Sequence, residues 1–138
     1  MDDYLAAEPL IVARLEDQIP DVTIRSTWGM PKFQEAPDTP PAILLVLEND
    51  TPGEMTIDGG AQLVHQTWTC VVLVSDAANE AGPLLSRVIQ AMNGWEPPGQ
   101  TFSPFRRIKS GMTHDYSPST VLYFPLAFQT SFVFNNFL

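Results

Sequence analysis

Only one cysteine, Cys70, occurs in the 138 residues, so no internal disulfide can form and the fold must hold through its core. Basic residues are also scarce: seven Lys and Arg against 16 Asp and Glu leave a net charge of −9. A molecule of that sign repels phosphates and anionic lipid, which argues against specific nucleic-acid binding and against a membrane-surface role. No apolar run approaches the roughly 18 residues of a membrane helix, and no internal repeat or low-complexity tract is visible. The start, Met1-Asp2-Asp3-Tyr4, carries acids where a secretory leader would carry Lys or Arg. Synthesis and folding in the cytoplasm are therefore expected.

What is present suits one globular domain spanning 1–138. The hydrophobic content of 44% is spread along the chain, and a chain of this size folds to roughly 7,000 Å² of surface, burying about two thirds of what the open chain exposes. The 13 prolines gather at residues 37 to 41, at 97 to 98 and near 104, punctuating periodic segments.

Leu5, Val12, Leu15 and Ile19, with Ile11 beside them, fall along one side of a helical wheel. Pro9 belongs in the first turn, behind a cap at Asp2 or Asp3, or starts the helix itself; Pro20 ends it. Residues 22 to 28 alternate as a short strand, and residues 29 to 41 form a proline-rich loop. Ala42-Ile43-Leu44-Leu45-Val46-Leu47 is apolar on both faces, the pattern of a central strand covered at least partly on both sides. Glu48 to Gly60 holds Asn49-Asp50, Pro52-Gly53 and Asp58-Gly59-Gly60 and reads as a long polar loop or loose hairpin tip. From Gln62 to Val74 a strand places Val64, Trp68, Cys70, Val72 and Val74 on one face and His65, Thr67 and Thr69 on the other. A second helix starts at Asp76 or Gly82, buries Leu84, Leu85, Val88, Ile89 and Met92, and closes on Asn93-Gly94. Another strand is expected over Phe105 to Thr113, then a polar turn over 114 to 119. The last strand aligns Leu122, Phe124, Leu126, Phe128, Phe132 and Phe134, and Pro125 places it at a sheet edge or a bulge. The order predicts an α+β domain: an antiparallel or mixed sheet of about four to five strands with two helices on one face.

Few residues suggest chemistry. His65 and Cys70 resemble a base and a nucleophile, but alternation sends them to opposite faces of one strand. His114-Asp115 lacks nearby partners for a metal site. Asp58-Gly59-Gly60-Ala61 lacks the lysine and helix of a phosphate cradle. The pairs Asp2-Asp3 and Glu16-Asp17 read as helix capping and a solvated helix face. No catalytic, cofactor-binding or metal-ligating residue is assigned, and no cofactor is expected. Arg106-Arg107-x-Lys109 concentrates three of the seven basic residues in four positions, too narrow a patch for a duplex footprint. In an acidic protein it fits contact with carboxylates of a neighbouring subunit or partner.

An ordered set of segments spans nearly the whole chain: the helix Leu10 to Ile19 closed by Pro20, Pro41-Ala42 opening an apolar strand, Gln66-x-Trp68, Ala81-Gly82-Pro83-Leu84, Gly94-Trp95-x-Pro97, Phe105-Arg106-Arg107 and Tyr123-Phe124-Pro125-Leu126-Ala127-Phe128. In this order the chain resembles the tail terminator proteins of long-tailed bacteriophages, more narrowly the Mu-like tail terminator group of phages and prophages. The resemblance implies a structural virion-tail protein without an active site, assembled in the bacterial cytoplasm. It implies a ring, usually of six subunits, on the head-proximal end of the tail tube, which stops tube growth and offers a head-docking surface. Its partners would be further copies of itself, the tail tube protein and a head-completion or neck protein; in isolation it could be a monomer. The expected subunit contacts set Arg106, Arg107 and Lys109 against acids of the neighbour, with Glu48, Asp50, Glu54 and Asp58 in a loop that orders on assembly. The acidity also suits a pore that DNA passes without sticking. A neck, connector or tail-completion protein is the nearest alternative function, a small ferredoxin-like ligand-binding domain the next, and an enzyme the weakest.

Overall fold

The computed structural model describes residues 3–28, 39–116 and 120–135. Asp2, most of the proline-rich loop and the turn at 117–119 lie outside the described residues. Helix α1 spans Ala7–Gln18, strand β1 Thr23–Ser26, β2 Ala42–Met55 and β3 Ala61–Val74. A π-helical turn, Ala77–Ala81, runs into α2, Gly82–Met92, and three strands follow: β4 Arg106–Ile108, β5 Asp115–Tyr116 and β6 Leu122–Asn135. The fold is α+β, with one mixed sheet ordered β1, β2, β3, β6, β4, and β5 also pairing with β6. Its six strands slightly exceed the expected four to five.

Both helices pack on one sheet face. In α1 the buried line is Ala7, Ile11 and Leu15, four residues apart, continued by Ile19. This line is shifted from the predicted stripe: Leu5 and Val12 sit at its half-buried margin. Pro9 lies in the first turn, and Asp3 Oδ1 accepts from the Leu5 N–H just before it. In α2, Leu84, Val88, Ala91 and Met92 are buried, and Gly94 takes a φ of +82° just beyond the helix end, a backbone angle that costs glycine nothing. These side chains meet Ile43, Leu45, Val64, Trp68, Cys70, Val72, Leu126, Phe128 and Phe132 in one core.

A second, smaller core lies on the opposite face, where Ala42, Leu44, Val71, Leu73 and Tyr123 are buried with Val46, Met112 and Val121 against them. It accounts for the two-sided apolar run at 42–47. Its cover is the segment after β4, where the expected strand to Thr113 does not form. There the Gly111 N–H donates to Glu48 Oε2 (2.9 Å) and the Met112 N–H to Ser110 Oγ (3.0 Å). These two backbone donors, diverted to side-chain acceptors, are lost to a ladder, and the chain departs from β6 as a strap.

The largest departure from the sequence reading is at residues 48–60. β2 and β3 form one long hairpin, and only Thr56 to Gly60 is turn. The turn-forming pairs Asn49-Asp50 and Pro52-Gly53 mark register shifts inside β2, between Leu47 and Asn49 and between Pro52 and Met55; they bulge the strand and do not end it. The real turn is closed by Thr56 N–H to Ala61 O (2.8 Å) and Gly59 N–H to Thr56 O (2.9 Å). Asp58 Oδ1 accepts from Thr56 Oγ1 (2.6 Å) and from the Gly60 N–H (2.9 Å), and Gly59 adopts a φ of +73°. This tip is internally tied.

Strand β6 is interior, because β3 pairs with its whole length and β4 and β5 with parts of its other side. Yet β4 reaches only Ala127 to Gln129 and β5 only Leu122 and Tyr123. Pro125 therefore sits where β6 faces no second strand, so its missing N–H costs no ladder bond on that side.

Candidate functional site

Cations gather at β4 and acids along β2, with Arg25 of β1 and Asp115 of β5 the exposed charges of opposite sign beside them. On the β6 side, Arg106 of β4 donates to Gln129 Oε1 (3.0 Å), and the Arg107 N–H donates to Asn93 Oδ1 (3.0 Å). All three cations are exposed, and Lys109 lies just past the end of β4. Among the described residues no acid pairs with Arg106, Arg107 or Lys109; the salt bridge present, Asp21 with Arg87 at 2.6 Å, is elsewhere. That guanidinium holds the exposed Asp21 carboxyl below its ordinary value.

On the β2 side the four acids have different fates. Glu48 faces inward to the strap: Oε1 accepts from Thr69 Oγ1 (2.8 Å) and Ser110 Oγ (2.5 Å), Oε2 from the Gly111 N–H. Asp50 accepts from the Tyr4 hydroxyl (3.1 Å) and from Gln66 Nε2 (3.1 Å). Burial, then the Asp50 carboxylate, raise the Tyr4 phenol above its usual range. Asp58 caps the tip, and the Thr56 hydroxyl followed by the Gly60 N–H lowers its carboxyl below the ordinary value. Glu54 is exposed with no partner among the described residues.

Beside the cations, the gap between β4 and β5 along β6 at Pro125 opens a cleft of about 290 Å³. Arg107, Lys109 and His114 line it with Met112, Phe124 and Pro125, and the His114 ring stacks on Phe124 at 5.7 Å and 17°. At the other end of the sheet, Met55, Ile57 and Val133 expose more than half their surface, and Leu63, directly opposite Val133, more than a third. Sequence reading missed both features. Ile57 is an isoleucine inside a polar turn, a visible mismatch; the cleft depends on where β4 and β5 stop, which no local pattern reveals.

The residues weighed for chemistry do not converge. His65 and Cys70 lie on opposite faces of β3. His65 Nδ1 meets Ser131 Oγ at 2.6 Å across the sheet, while Cys70 is buried among the helices and its thiol is pushed up to about 12 by that burial. Among the described residues, no group of three or more His, Cys, Asp or Glu could hold a metal, and no helix is long and apolar enough to cross a membrane.

Compared with known families, the chain matches the phage tail terminator protein model over residues 1–136. It belongs to the phage tail terminator family. A comparison with curated proteins gave no match. As a member of this family the chain is a structural protein of bacteriophage tails, a virion component that acts in tail assembly and interacts with other tail and head proteins. The family is a structural one and not an enzyme family. Segments that carry the terminator resemblance have evident physical roles. In Gln66-x-Trp68 the indole Nε1 donates to Gln66 Oε1 (3.2 Å), and Gln66 Nε2 donates to the Tyr4 carbonyl (3.2 Å), which satisfies a buried amide and fastens the N-terminal segment. In Gly94-Trp95-x-Pro97 the indole stacks on Phe105 at 5.5 Å, with the Arg14 guanidinium over its ring.

Proposed function

We propose that this protein forms a closed ring, of six copies as the resemblance implies, on the head-proximal end of the tail tube, where it stops tube polymerisation and presents the docking surface for the head. The observation that carries this reading is the family match over residues 1–136. The distribution of charge supports it. A cationic side at β4 and an anionic side along the β2–β3 hairpin lie across one sheet, so copies attract head to tail, and a heterologous contact that closes by rotation makes a ring. In this arrangement Arg106, Arg107 and Lys109 face the neighbour's hairpin. Glu54 and Asp58 meet them directly, Asp58 while keeping its own bonds within the tip, and Glu48 and Asp50, also bonded internally, contribute field from farther along the strand. A net charge of −9 keeps the ring from binding the DNA that passes through it.

Electron microscopy of particles made without the protein tests the capping role. Over-long tails are the expected result; tails of normal length that fail to join heads would instead assign it to the neck. For the ring, replacing Arg106, Arg107 and Lys109 together by Glu should abolish closed rings in micrographs of tail ends; rings undisturbed by the triple reversal would remove the charged contact.

A further inference from the structure

Ile57 is fully exposed at the apex of the hairpin. An apolar side chain held in water on a mobile loop would have little meaning, but this turn is tied by Asp58 to Thr56 and Gly60 and by two backbone bonds. The isoleucine is thus a preorganised knob, flanked by the anionic Glu54 and Asp58. The cleft beside Pro125 is its complement: an apolar floor of Met112, Phe124 and Pro125, with a rim of Arg107, Lys109 and His114. We infer that the Thr56–Gly59 tip of one copy docks into this cleft of the next, Ile57 seated on Phe124 and Pro125, and Glu54 and Asp58 against Arg107 and Lys109.

Charge complementarity chooses the occupant. The hairpin from Glu48 to Gly60 has four acids and no Lys or Arg, while the cleft is lined, among the described residues, by cations and no acid. The contact cannot form within one chain. Ala61, beside the tip, pairs with Asn135, whereas Phe124 pairs with Val72; the eleven residue steps along β6 from Phe124 to Asn135 span roughly 36 Å at about 3.3 Å per residue. Knob and hole at opposite ends of one rigid sheet are satisfied only by a second copy, and such an interface can close on itself.

The inference rests on the ring reading, and the test separates the two. Ile57→Cys combined with Thr113→Cys, a cleft-lining residue, is oxidised in assembled tails and in the concentrated protein. The buried Cys70 supplies a silent background. A ladder of covalent oligomers is expected from the double variant and from neither single variant, because a disulfide needs Cα atoms within about 7 Å. Ile57→Asp should weaken self-association by about 100-fold, since burying an isoleucine supports binding on that scale. Rings seen by microscopy with no cross-link, a cross-link from Ile57→Cys alone, or Ile57→Asp rings that form normally yet fail to cap tails would each overturn the docking while leaving the ring standing; the last would place the tip on the tube. Absent rings together with normal-length tails in particles lacking the protein would overturn the ring reading itself, and the docking with it.

Discussion

Replacing Glu48 by Ala should loosen the strap over the second core and lower global stability. The carboxylate accepts from Thr69 Oγ1, Ser110 Oγ and the Gly111 N–H. Hydrogen bonds to a charged group contribute about 1.5–3 kcal/mol each. Their loss is not additive here, because Gly111 is exposed and Ser110 half-buried, so water takes over part of both. Thr69 is fully buried, and its orphaned hydroxyl bears about 1–3 kcal/mol of unrelieved desolvation. The expected total is about 2–4 kcal/mol, read as a lower urea midpoint at unchanged slope. For a chain of this length that is roughly 6–14 °C in Tm. Glu48→Gln, which keeps one acceptor oxygen but sets an amide N–H₂ against a donor, should lose about half as much. Hydrogen exchange assigns the loss: the Gly111 and Met112 amides should open well before those of β3. If Glu48→Ala leaves the midpoint within about 0.5 kcal/mol of the parent and Gly111 equally protected, the strap is held by Met112 packing and the polar argument is wrong.

Two further outcomes follow from the same geometry. Cys70, with its thiol pushed up to about 12 from 9.0 by burial, should resist thiol reagents at pH 8 in the native protein by roughly 1,000-fold relative to the unfolded chain, and rapid stoichiometric labelling of the folded protein would refute its enclosure. Asp58 has its folded carboxyl below its ordinary value of 3.8, chiefly through the Thr56 hydroxyl; its contribution to the tip is therefore complete above that value and is lost as pH falls through the depressed one. The Gly60 amide resonance should follow this acid titration and Asp58→Asn should abolish it, while a midpoint at or above 3.8 would contradict the cap.

Much of the fold was legible because it rests on periodicity. The alternation of Val64 to Val74 and of Leu122 to Phe134 matches the core face of β3 and β6, and the stripe from Leu84 to Met92 matches α2. Ala42 to Leu47 announced a strand with two covered faces, as the second core bears out. The failures share one physical origin. Asn49-Asp50 and Pro52-Gly53 are turn-formers by local preference, but pairing with a long, well-patterned β3 outweighs that preference and absorbs them as bulges. Conversely, Phe105 to Thr113 looked like a strand, but Glu48, some sixty residues earlier, takes the Gly111 N–H and Ser110 Oγ takes that of Met112. Of the candidate assembly residues, Arg106, Arg107 and Lys109 were readable as a cluster against a sparse basic background. The internal engagement of Glu48 and Asp50 depends on tertiary neighbours, as does the cleft framed by the ends of β4 and β5.

The long β2 border has a consequence for solution behaviour. β1 accompanies it only from Ala42 to Leu45, so among the described residues the stretch from Val46 to Met55 has no outer neighbour in the sheet. A straight, bare border of that length would template indefinite addition of chains, the failure most damaging to a component proposed above to end a filament. Two kinks in register and a proline at position 52 spoil that border for main-chain zippering, and its acids repel a second copy laid alongside. Association is thereby diverted from generic backbone pairing to contacts between side chains, which can be counted, matched and finished.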